Sequence, residues 1–273
     1  MIIGIDIGGS TTKIVGYDGE KIVSPLMVKA SDPKTSAYGA FGKFLLENGL
    51  ELADIEKIMV TGVGSSFLPE TIYQIETHKV DEITSIGMGG RFLSGLDRAA
   101  VVSMGTGTAV IGVDETGIRH IGGTGLGGGT VIGVCDKLIG VRDINHIVDL
   151  AEQGNLRQVD LTIGDISSTD VSNMTDAITA SNFGKVSDLA SHADLAMGVL
   201  NMVFQTIGIV SALAGRSCGL DRIVLTGNLS SVAYAAEVFD TLNKMFDMRF
   251  QIPENSRFGT VIGAALCEEE TMM

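Results

Sequence analysis

The sequence predicts an α/β protein whose two halves face each other across a cleft. The segment "IIGIDIGGSTTKIVGYD" places a glycine turn between two apolar strands, and "AAVVSMGTGTAVIGVDETG" repeats that pattern. A third glycine turn, in "DRIVLTGNLSSVAYAAEVFDTL", follows a strand and precedes a helix. We expect one half to span residues 1–100 and the other to span residues 101–259. Residues 260–273 are expected to form a helical tail that packs back on the first half.

The order of apolar and polar residues predicts the individual elements. "MIIGIDIG", "KIVGYDG" and "GEKIVSPLMVKA" alternate or run apolar like strands, and "IEKIMVTGVGSS" is typical of a buried strand. "SAYGAFGKFLLENGL" has helical spacing and is expected to end at Gly49, while "VDEITSIGMGGRFLSGL" is expected to be a helix that opens with acidic residues. Residues 188–215 predict a long buried helix whose methionines belong to the core.

Composition excludes several classes of protein. The formal net charge of −14 disfavours nucleic acid or an anionic membrane surface as a partner. The three cysteines are far apart and form no CxxC, so neither a disulfide framework nor a zinc site is expected. We expect no targeting segment at the N-terminus and no uncharged run long enough to span a bilayer. These features predict a cytoplasmic protein.

The chemistry of the opening stretch points to an anion and a cation. It contains no GxxxxGK[ST] and no GxGxxG at a helix start, which excludes a Walker A loop and disfavours a dinucleotide fold. Glycines let a ligand approach the backbone, and amides and hydroxyls that converge on one point bind anions. Asp6 at the end of a buried strand needs a cation, and a hydrated Mg²⁺ fits that need. Lys13 can reach phosphate groups.

The alternative for this stretch is a plain Gly-Gly hairpin in which Asp6 caps the turn. The second copy, at residues 103–108, favours a clamp on a triphosphate over that alternative, because two such hairpins in one chain are hard to explain by structure alone.

On these residues the chain resembles the superfamily of sugar kinases, heat-shock ATPases and actin. Within it the chain is similar to the type II pantothenate kinases over nearly its full length, through "GIDIGGSTTKIV", "VDEITSIGMG", "SMGTGTAVIGV", "IGGTGLGGGTVIGV", "DAITASNFGKV" and "IVLTGNLSS". The resemblance implies two ribonuclease-H-like (actin-like ATPase) halves that flank an ATP cleft. It implies ATP- and Mg²⁺-dependent phosphorylation of pantothenate, the first step of coenzyme A biosynthesis, in a homodimer that pairs through a long helix.

The resemblance also implies a catalytic glutamate. The family carries it seven residues before a glycine, which here is Glu82 before Gly89. A carboxylate at a helix N-terminus beside the cleft can accept the proton of an attacking hydroxyl. The alternatives are that Glu82 is only a first-turn acid favoured by the helix dipole, or that the neighbouring Asp81 is the base.

One position departs from the family pattern. Family members usually carry an arginine two residues before the first glycine of the pair, where it helps to hold the acceptor and the transferring phosphoryl group. The matching residue is His120, and Arg119 precedes it. Because neighbouring side chains on a strand face opposite ways, either His120 takes the role, Arg119 reaches the site through a bulge, or the substrate differs.

The resemblance also implies the remaining nucleotide contacts, which map onto Thr106, residues 128–132, Gly227 and Asn228. We expect the start of the helix after "GGTGLGGGT" to aim free amides at the phosphates, although glycines there can instead serve close helix packing. The expected ATP-binding residues are Asp6, Ile7, Gly8, Gly9, Ser10, Thr11, Thr12, Lys13, Thr106, Gly107, Thr108, Gly128, Gly129, Thr130, Val131, Ile132, Gly227 and Asn228, with Asp6 also holding the metal.

Three other functions remain open from the sequence. One is another small-molecule kinase of the superfamily, such as a hexose kinase, although the zinc motif common in bacterial ones is missing. Another is a nucleotide-driven activator with an iron–sulfur cluster, for which Cys135 lacks a partner cysteine at a matching place. The third is a relative that only binds nucleotide or acyl-CoA, and the presence of both Asp6 and Glu82 disfavours it.

Overall fold

The computed structural model describes residues 1–29, 32–167 and 178–267 and contains two large mixed sheets. The first sheet has the strand order β3-β2-β1-β4-β6-β5. Its strands are β1 (Ile2–Ile7), β2 (Thr11–Tyr17), β3 (Ile22–Lys29), β4 (Lys57–Thr61), β5 (Thr71–Ile72) and β6 (Ile75–Lys79). β1 is central, antiparallel to β2 and parallel to β4.

Helix α1 (Pro33–Asn48) covers one face of this sheet. The Asp32 carboxylate caps its N-terminus by accepting a hydrogen bond from the Thr35 amide, 2.8 Å. Gly49 ends the helix in the left-handed conformation, φ +63°, as the sequence predicts. Phe41 and Phe44 are fully buried against alternate residues of β1, so α1 and the sheet share one core.

The second sheet repeats the arrangement of the first. Its order is β13-β12-β7-β8-β9, formed by β7 (Ala99–Met104), β8 (Thr108–Asp114), β9 (Gly117–Thr124), β12 (Arg222–Thr226) and β13 (Arg249–Gln251). β7 is antiparallel to β8 and parallel to β12, as β1 is to β2 and β4. The duplicated hairpin predicted from the sequence is therefore confirmed. A separate pair of short strands consists of β10 (Leu161–Thr162) and β11 (Thr179–Ser181).

Two glycine-rich helices lie between the sheets. α2 (Glu82–Ser94) packs on the second sheet, and α8 (Gly259–Leu266) packs on β1 and β4 of the first. A Cβ on Gly89 would lie 1.8 Å from the Gly259 carbonyl oxygen, so only glycine allows the two helices this close. The division at residue 100 stays a prediction, and residues 268–273 of the expected tail lie outside the described residues.

Five further helices cover the second sheet and the segments beside it: α3 (Gly128–Ile139), α4 (Ile144–Ala151), α5 (Ile163–Ile166), α6 (His192–Ser217) and α7 (Ala233–Phe246). Ser191 caps α6 in a reciprocal pair of bonds with Asp194, so the helix starts a turn later than residue 188.

The expectation about uncharged runs is wrong at α6, because residues 195–215 carry no charge. By length and composition α6 could cross a membrane, and it is the one such helix in the described parts of the chain. Most of its apolar length is buried, and it packs against α3, α4 and α7. This is the position of a core helix, as the sequence predicts.

Candidate active site

The first glycine turn brings a buried carboxylate to the space between the sheets. The turn closes through a 3.0 Å hydrogen bond from the Gly8 amide to the Thr11 carbonyl oxygen. Asp6 lies directly opposite Lys13 in the register of β1 and β2, and both side chains are more than nine-tenths buried. Within the described ranges, no residue donates a hydrogen bond to the Asp6 carboxylate. A buried anion without donors is a site for a cation.

Burial shifts the titration of this pair. It raises the pKa of Asp6 and lowers the pKa of Lys13, because both charged forms lose contact with water. The opposite charge across the strand pair partly offsets the effect of burial in each case.

Gly62 makes room for the Asp6 carboxylate. It follows β4 with φ +84°, in the region that favours glycine, and a Cβ there would lie 2.5 Å from Asp6 Oδ1. A side chain at residue 62 would therefore move the carboxylate, so the position of Asp6 depends on a neighbouring strand.

The second and third glycine turns face the first. The first two hairpin turns lie close together, since a Cβ on Gly9 would lie only 3.7 Å from Thr106 Oγ1. Gly227 follows β12 with φ +88°, and the next residue, Asn228, donates from Nδ2 to Thr11 Oγ1 at 3.3 Å. Asn228 Oδ1 is buried and has no hydrogen-bond partner among the described residues. The three turns thus meet at one place, although they are far apart in the chain.

Together the turns enclose a cleft of about 550 Å³. Most of the predicted site residues line it, namely Asp6, Gly8, Gly9, Ser10, Thr11, Lys13, Glu82, Thr106, Gly107, Thr108, Gly227 and Asn228.

Glu82 is the first residue of α2 and reaches the cleft wall from there. The preceding Asp81 caps the helix, with Oδ2 accepting from the Thr84 amide at 2.9 Å. Burial raises the pKa of Glu82, and the negative charges of Asp6 and Asp81 raise it further. A carboxyl group with a raised pKa in a cleft is typical of a proton acceptor in catalysis. The helix cap occupies Asp81, which favours Glu82 over Asp81 for that task.

A buried pair of hydroxyls holds the start of α2 against the first sheet. Ser85 Oγ donates to the Asp81 carbonyl oxygen at 2.9 Å and lies 3.2 Å from Thr61 Oγ1. Thr61 is opposite Asp6 in the parallel register of β1 and β4. The pair therefore links the helix that carries Glu82 to the strand beside Asp6.

The start of α3 does not present the free amides that the sequence predicts. The Gly128 amide donates to the Gly105 carbonyl oxygen at 2.8 Å, and the Gly129 amide donates to Thr106 at 3.0 Å. The Val131 amide bonds within its own helix, and its side chain is fully buried. Neither these residues nor Thr130 and Ile132 are among those that line the cleft. This part of the prediction is corrected, because the amides of Gly128 and Gly129 hold the second turn instead.

Two residues of the first hairpin also point away from the cleft. Ile7 and Thr12 are opposite each other in the register of β1 and β2, and both are fully buried. Ile7 belongs to the core under α1. Their side chains therefore belong to the core face, since alternate residues of a strand face opposite sides.

Arg119 is directed away from the cleft. Its guanidinium forms two bonds to the Asp114 carboxylate, at 2.8 and 2.9 Å, and one to Thr116. Its neighbour Ile118 packs against Gly87 of α2, so Arg119 projects from the opposite face of β9. The prediction that Arg119 serves the site is corrected, because its guanidinium is bonded to Asp114 and Thr116 at the far end of the hairpin.

His120 lies on the face of β9 that α2 covers. It is opposite Ile111 in the register of β8 and β9, and Ile111 packs in one cluster with Ile86 and Ile118 under α2. A bulge beside this position shifts the register between Val110 and Ile111. His120 is exposed and is not itself one of the lining residues.

The sequence missed several residues that line the cleft. They are Val63, Ile86, Ser103, Gly105, Ala109, Thr124 and Thr260. Ser103 was visible as the counterpart of Asp6 in the repeat, and Thr124 stands at the start of the glycine run. Thr260 had no such signal, because α8 reaches the cleft only through the packing of the two central helices.

The repeated sheets around a cleft are found in solved structures. One is the activator of 2-hydroxyisocaproyl-CoA dehydratase from Clostridium difficile with bound ADPNP, with a TM-score of 0.67 and 20% identity over 97% of this chain and 92% of that one. Another is a ROK family glucokinase from Streptomyces griseus in complex with glucose and AMPPNP, with a TM-score of 0.61 and 13% identity over 97% of both chains. The protein therefore has the fold of the actin-like ATPases and sugar kinases.

The Fumble family model matches residues 99–248, more than half of the chain. The chain belongs to the Fumble family. It is 26% identical to a type II pantothenate kinase from Bacillus cereus over 83% of both chains. It is also 26% identical to a type II pantothenate kinase from Staphylococcus aureus, over 98% of this chain and 100% of that one. These matches confirm the resemblance that the motifs indicate.

Proposed function

We propose that the protein is a pantothenate kinase that transfers the γ-phosphoryl group of ATP to the primary hydroxyl of pantothenate. One observation carries this proposal: in a chain of this family, three glycine turns meet at a cleft that holds Asp6, Lys13 and Glu82. The product is 4′-phosphopantothenate, so the reaction is the first step of coenzyme A biosynthesis.

The turns would hold the polyphosphate of ATP. Gly8 and Gly9 leave the first turn open to close approach, while Ser10, Thr11 and Thr106 bring hydroxyl groups to the cleft. Lys13 supplies a positive charge that is screened little because it is buried. The third turn, at Gly227 and Asn228, would complete the nucleotide site.

Asp6 fits a Mg²⁺ ion, because its buried carboxylate lacks donors among the described residues. Magnesium keeps several waters and is bound through one or two carboxylates and substrate phosphates. When bound, the ion would neutralise charge on the phosphate oxygens. Asp6 would hold it, directly or through a water.

Glu82 would accept the proton of the attacking hydroxyl. An alcohol is a far weaker acid than a carboxylic acid, so the proton moves late, and positioning and charge neutralisation supply most of the rate. The raised pKa of Glu82 brings the two acidities closer, which favours the transfer.

The position on β9 supports His120 as a contact for the acceptor. It lies on the face of β9 that is covered by α2, the helix that carries Glu82. A His120→Ala variant is expected to raise KM for the acceptor and leave KM for ATP unchanged. An unchanged KM for the acceptor would contradict this role.

A coupled assay of ADP formation tests the acceptor. ATP, Mg²⁺ and pantothenate are compared with ATP, Mg²⁺ and a panel of hexoses and N-acetylhexosamines, and the phosphorylated product is identified by mass spectrometry. Turnover with pantothenate and none with the sugars is expected. A sugar preferred over pantothenate would assign the protein to another kinase of the fold.

ATP hydrolysis that needs no acceptor would instead indicate a nucleotide-driven activator. Against that function, the Cys135 thiol lies in the core under α3, 1% exposed, and is not available at a surface for a shared cluster.

We further propose that the protein is a cytoplasmic homodimer with α6 in the contact. Ile209 and Leu213 support this, since they lie one turn apart on α6 and are exposed. Sedimentation of the wild type and of an Ile209→Glu, Leu213→Glu variant tests it, and an unchanged molecular mass would overturn it.

A further inference from the structure

A second cation, Arg257, lies near Lys13. Arg257 is in the short 3-10 turn Ser256–Phe258 that precedes α8. This turn is bonded to the third glycine turn, because the Gly227 amide donates to the Ser256 carbonyl oxygen at 3.0 Å. The hydroxyls of Ser256 and Ser230 are 2.7 Å apart and buried. The backbone that carries Arg257 is therefore fixed relative to the cleft.

The Arg257 side chain extends from this turn to the first sheet. Its Nη2 lies 4.0 Å from Met27 Sδ, and Met27 is directly opposite Lys13 in the register of β2 and β3. Burial is the main cause of the lowered pKa of Lys13, and the positive charge of Arg257 lowers it further. Lys13 is thus flanked by Asp6 on one side and by a second cation on the other.

Arg257 has no anion to balance it. Its Nε is buried without a hydrogen-bond partner, and no carboxylate lies within ion-pair distance of it in the part of the chain that the structure describes. Acidic residues outnumber basic ones, 33 to 19, and Arg91, Arg98 and Arg119 each pair with a carboxylate. Lys13 and Arg257 are thus two neighbouring cations, and the negative charge of a bound anion would stabilise both.

We propose that Arg257 supplies a second positive charge, beside Lys13, to the polyphosphate of a nucleotide bound in the cleft. Arg257 acts through its charge and does not line the cleft. The charge strengthens the binding of the phosphates and contributes nothing to the binding of the base. The inference rests on the proposed use of ATP but not on pantothenate as the acceptor.

A guanidinium suits this role because it carries a delocalised positive charge and is weakly hydrated. A unit charge about 8 Å from a phosphate, at the effective dielectric constant of a protein surface, changes affinity by roughly tenfold or more. Adenosine carries no charge, so its affinity is independent of this contribution.

Calorimetric titrations with ATP, ADP and adenosine, without any acceptor, test the proposal. Arg257→Met keeps an unbranched side chain that can pack on Met27, and Arg257→Lys keeps the charge. We expect Arg257→Met to bind ATP and ADP about tenfold more weakly and adenosine as the wild type does, with a smaller effect at higher salt. Arg257→Lys should restore most of the loss. Arg249→Met, an exposed arginine on β13, is the matched control and should leave all three affinities unchanged.

Each other outcome overturns the inference. An equal loss for ATP and adenosine in Arg257→Met would show a structural role, and thermal unfolding of the variant would reveal it as well. Wild-type affinity for ATP in Arg257→Met would show that the charge is too remote. A wild-type protein that binds no ATP would overturn the proposed function together with this inference, whereas turnover of a sugar instead of pantothenate would overturn only the acceptor.

Discussion

Asp6 and Glu82 face one cleft from different elements, and the negative charge of Asp6 adds to burial in raising the pKa of Glu82. Asp6 is fixed at the end of a central strand and is paired across the hairpin with Lys13. Glu82 stands at the start of a helix and forms no ion pair with any residue that the structure describes. The two carboxylates are thus set for different tasks, one to hold a cation and the other to take a proton.

Replacement of Glu82 by glutamine separates catalysis from binding. The amide keeps the shape of the side chain but cannot accept a proton from the hydroxyl, so we expect kcat to fall by about 10²-fold or more. The affinity for ATP, measured by calorimetry, should stay within twofold of the wild type. A Glu20→Gln variant, in an exposed turn, serves as the control. Turnover near the wild-type rate in Glu82→Gln would refute the role of general base.

The pKa of Glu82 also predicts the acid side of the pH profile. The base works only when ionised, and a raised pKa means that protonation begins above the pH at which an ordinary glutamate titrates, about 4.3. Activity should therefore fall as the pH drops through the raised value. We expect kcat/KM for the acceptor, at saturating ATP and Mg²⁺, to decline with an apparent pKa above that of an ordinary glutamate. An acid limb with its midpoint at or below the ordinary value would contradict the shift.

Gly62 offers a test of the Asp6 site. Gly62→Ala places a Cβ 2.5 Å from Asp6 Oδ1, so we expect the carboxylate to move and the Mg²⁺ concentration for half-maximal activity to rise about tenfold. Gly19→Ala is the matched control, since Gly19 also has a positive φ, +104°, but no atom within 4 Å of the new Cβ. Backbone strain should cost both variants about 1–2 kcal/mol in the free energy of unfolding, and Gly62→Ala should lose more, since its Cβ would also lie 2.7 Å from the Ile7 carbonyl oxygen. An equal change in metal dependence in both would mean that strain, not the contact with Asp6, is responsible.

The sequence predicted the sheets, the repeat and most of the cleft because these depend on local patterns. Runs of apolar residues define β1 and β7, and a glycine turn followed by threonines marks each hairpin. Glu82 was predicted through a family motif, and the structure adds its burial and the charges around it.

The failures of prediction have a different physical origin. The amides of Gly128 and Gly129 donate hydrogen bonds to carbonyl groups of the second hairpin. Such long-range bonds cannot be read from the spacing of residues in the sequence. Arg119 forms an ion pair with Asp114, five residues away in the same hairpin, and therefore does not reach the cleft. The sequence alone is compatible with either an ion pair or an unpaired cation at this position. Thr260 and Arg257 reach the cleft region only because α8 returns to the first sheet, which depends on the packing of the whole chain.

The cysteines provide a test that concerns the core. Burial raises the pKa of Cys135 and, together with the nearby charge of Asp81, that of Cys267, in both cases to about 11, while Cys218 is partly exposed. Because the thiolate is the reactive form, we expect one thiol of the native protein to react quickly with a disulfide reagent at pH 8, and three after unfolding. Cys218→Ser should abolish the fast reaction. A fast reaction that survives in Cys218→Ser would mean that the core around Cys135 or Cys267 opens readily.

The hydroxyl pair beside the site links stability to catalysis. Ser85→Ala removes the bond between Ser85 Oγ and Thr61 Oγ1 and leaves the Thr61 hydroxyl buried without that partner, which costs about 1–3 kcal/mol in the free energy of unfolding. Because the same serine ties the first turn of α2 to the strand beside Asp6, Glu82 should be held less firmly, and we expect kcat to fall several-fold with KM for ATP unchanged. Ser94→Ala is the control on the same helix, since Ser94 Oγ also donates to a carbonyl oxygen four residues earlier, on Gly90, at the end far from the cleft. If Ser94→Ala reduces kcat as much as Ser85→Ala does, the effect belongs to the stability of α2 as a whole and not to the placement of Glu82.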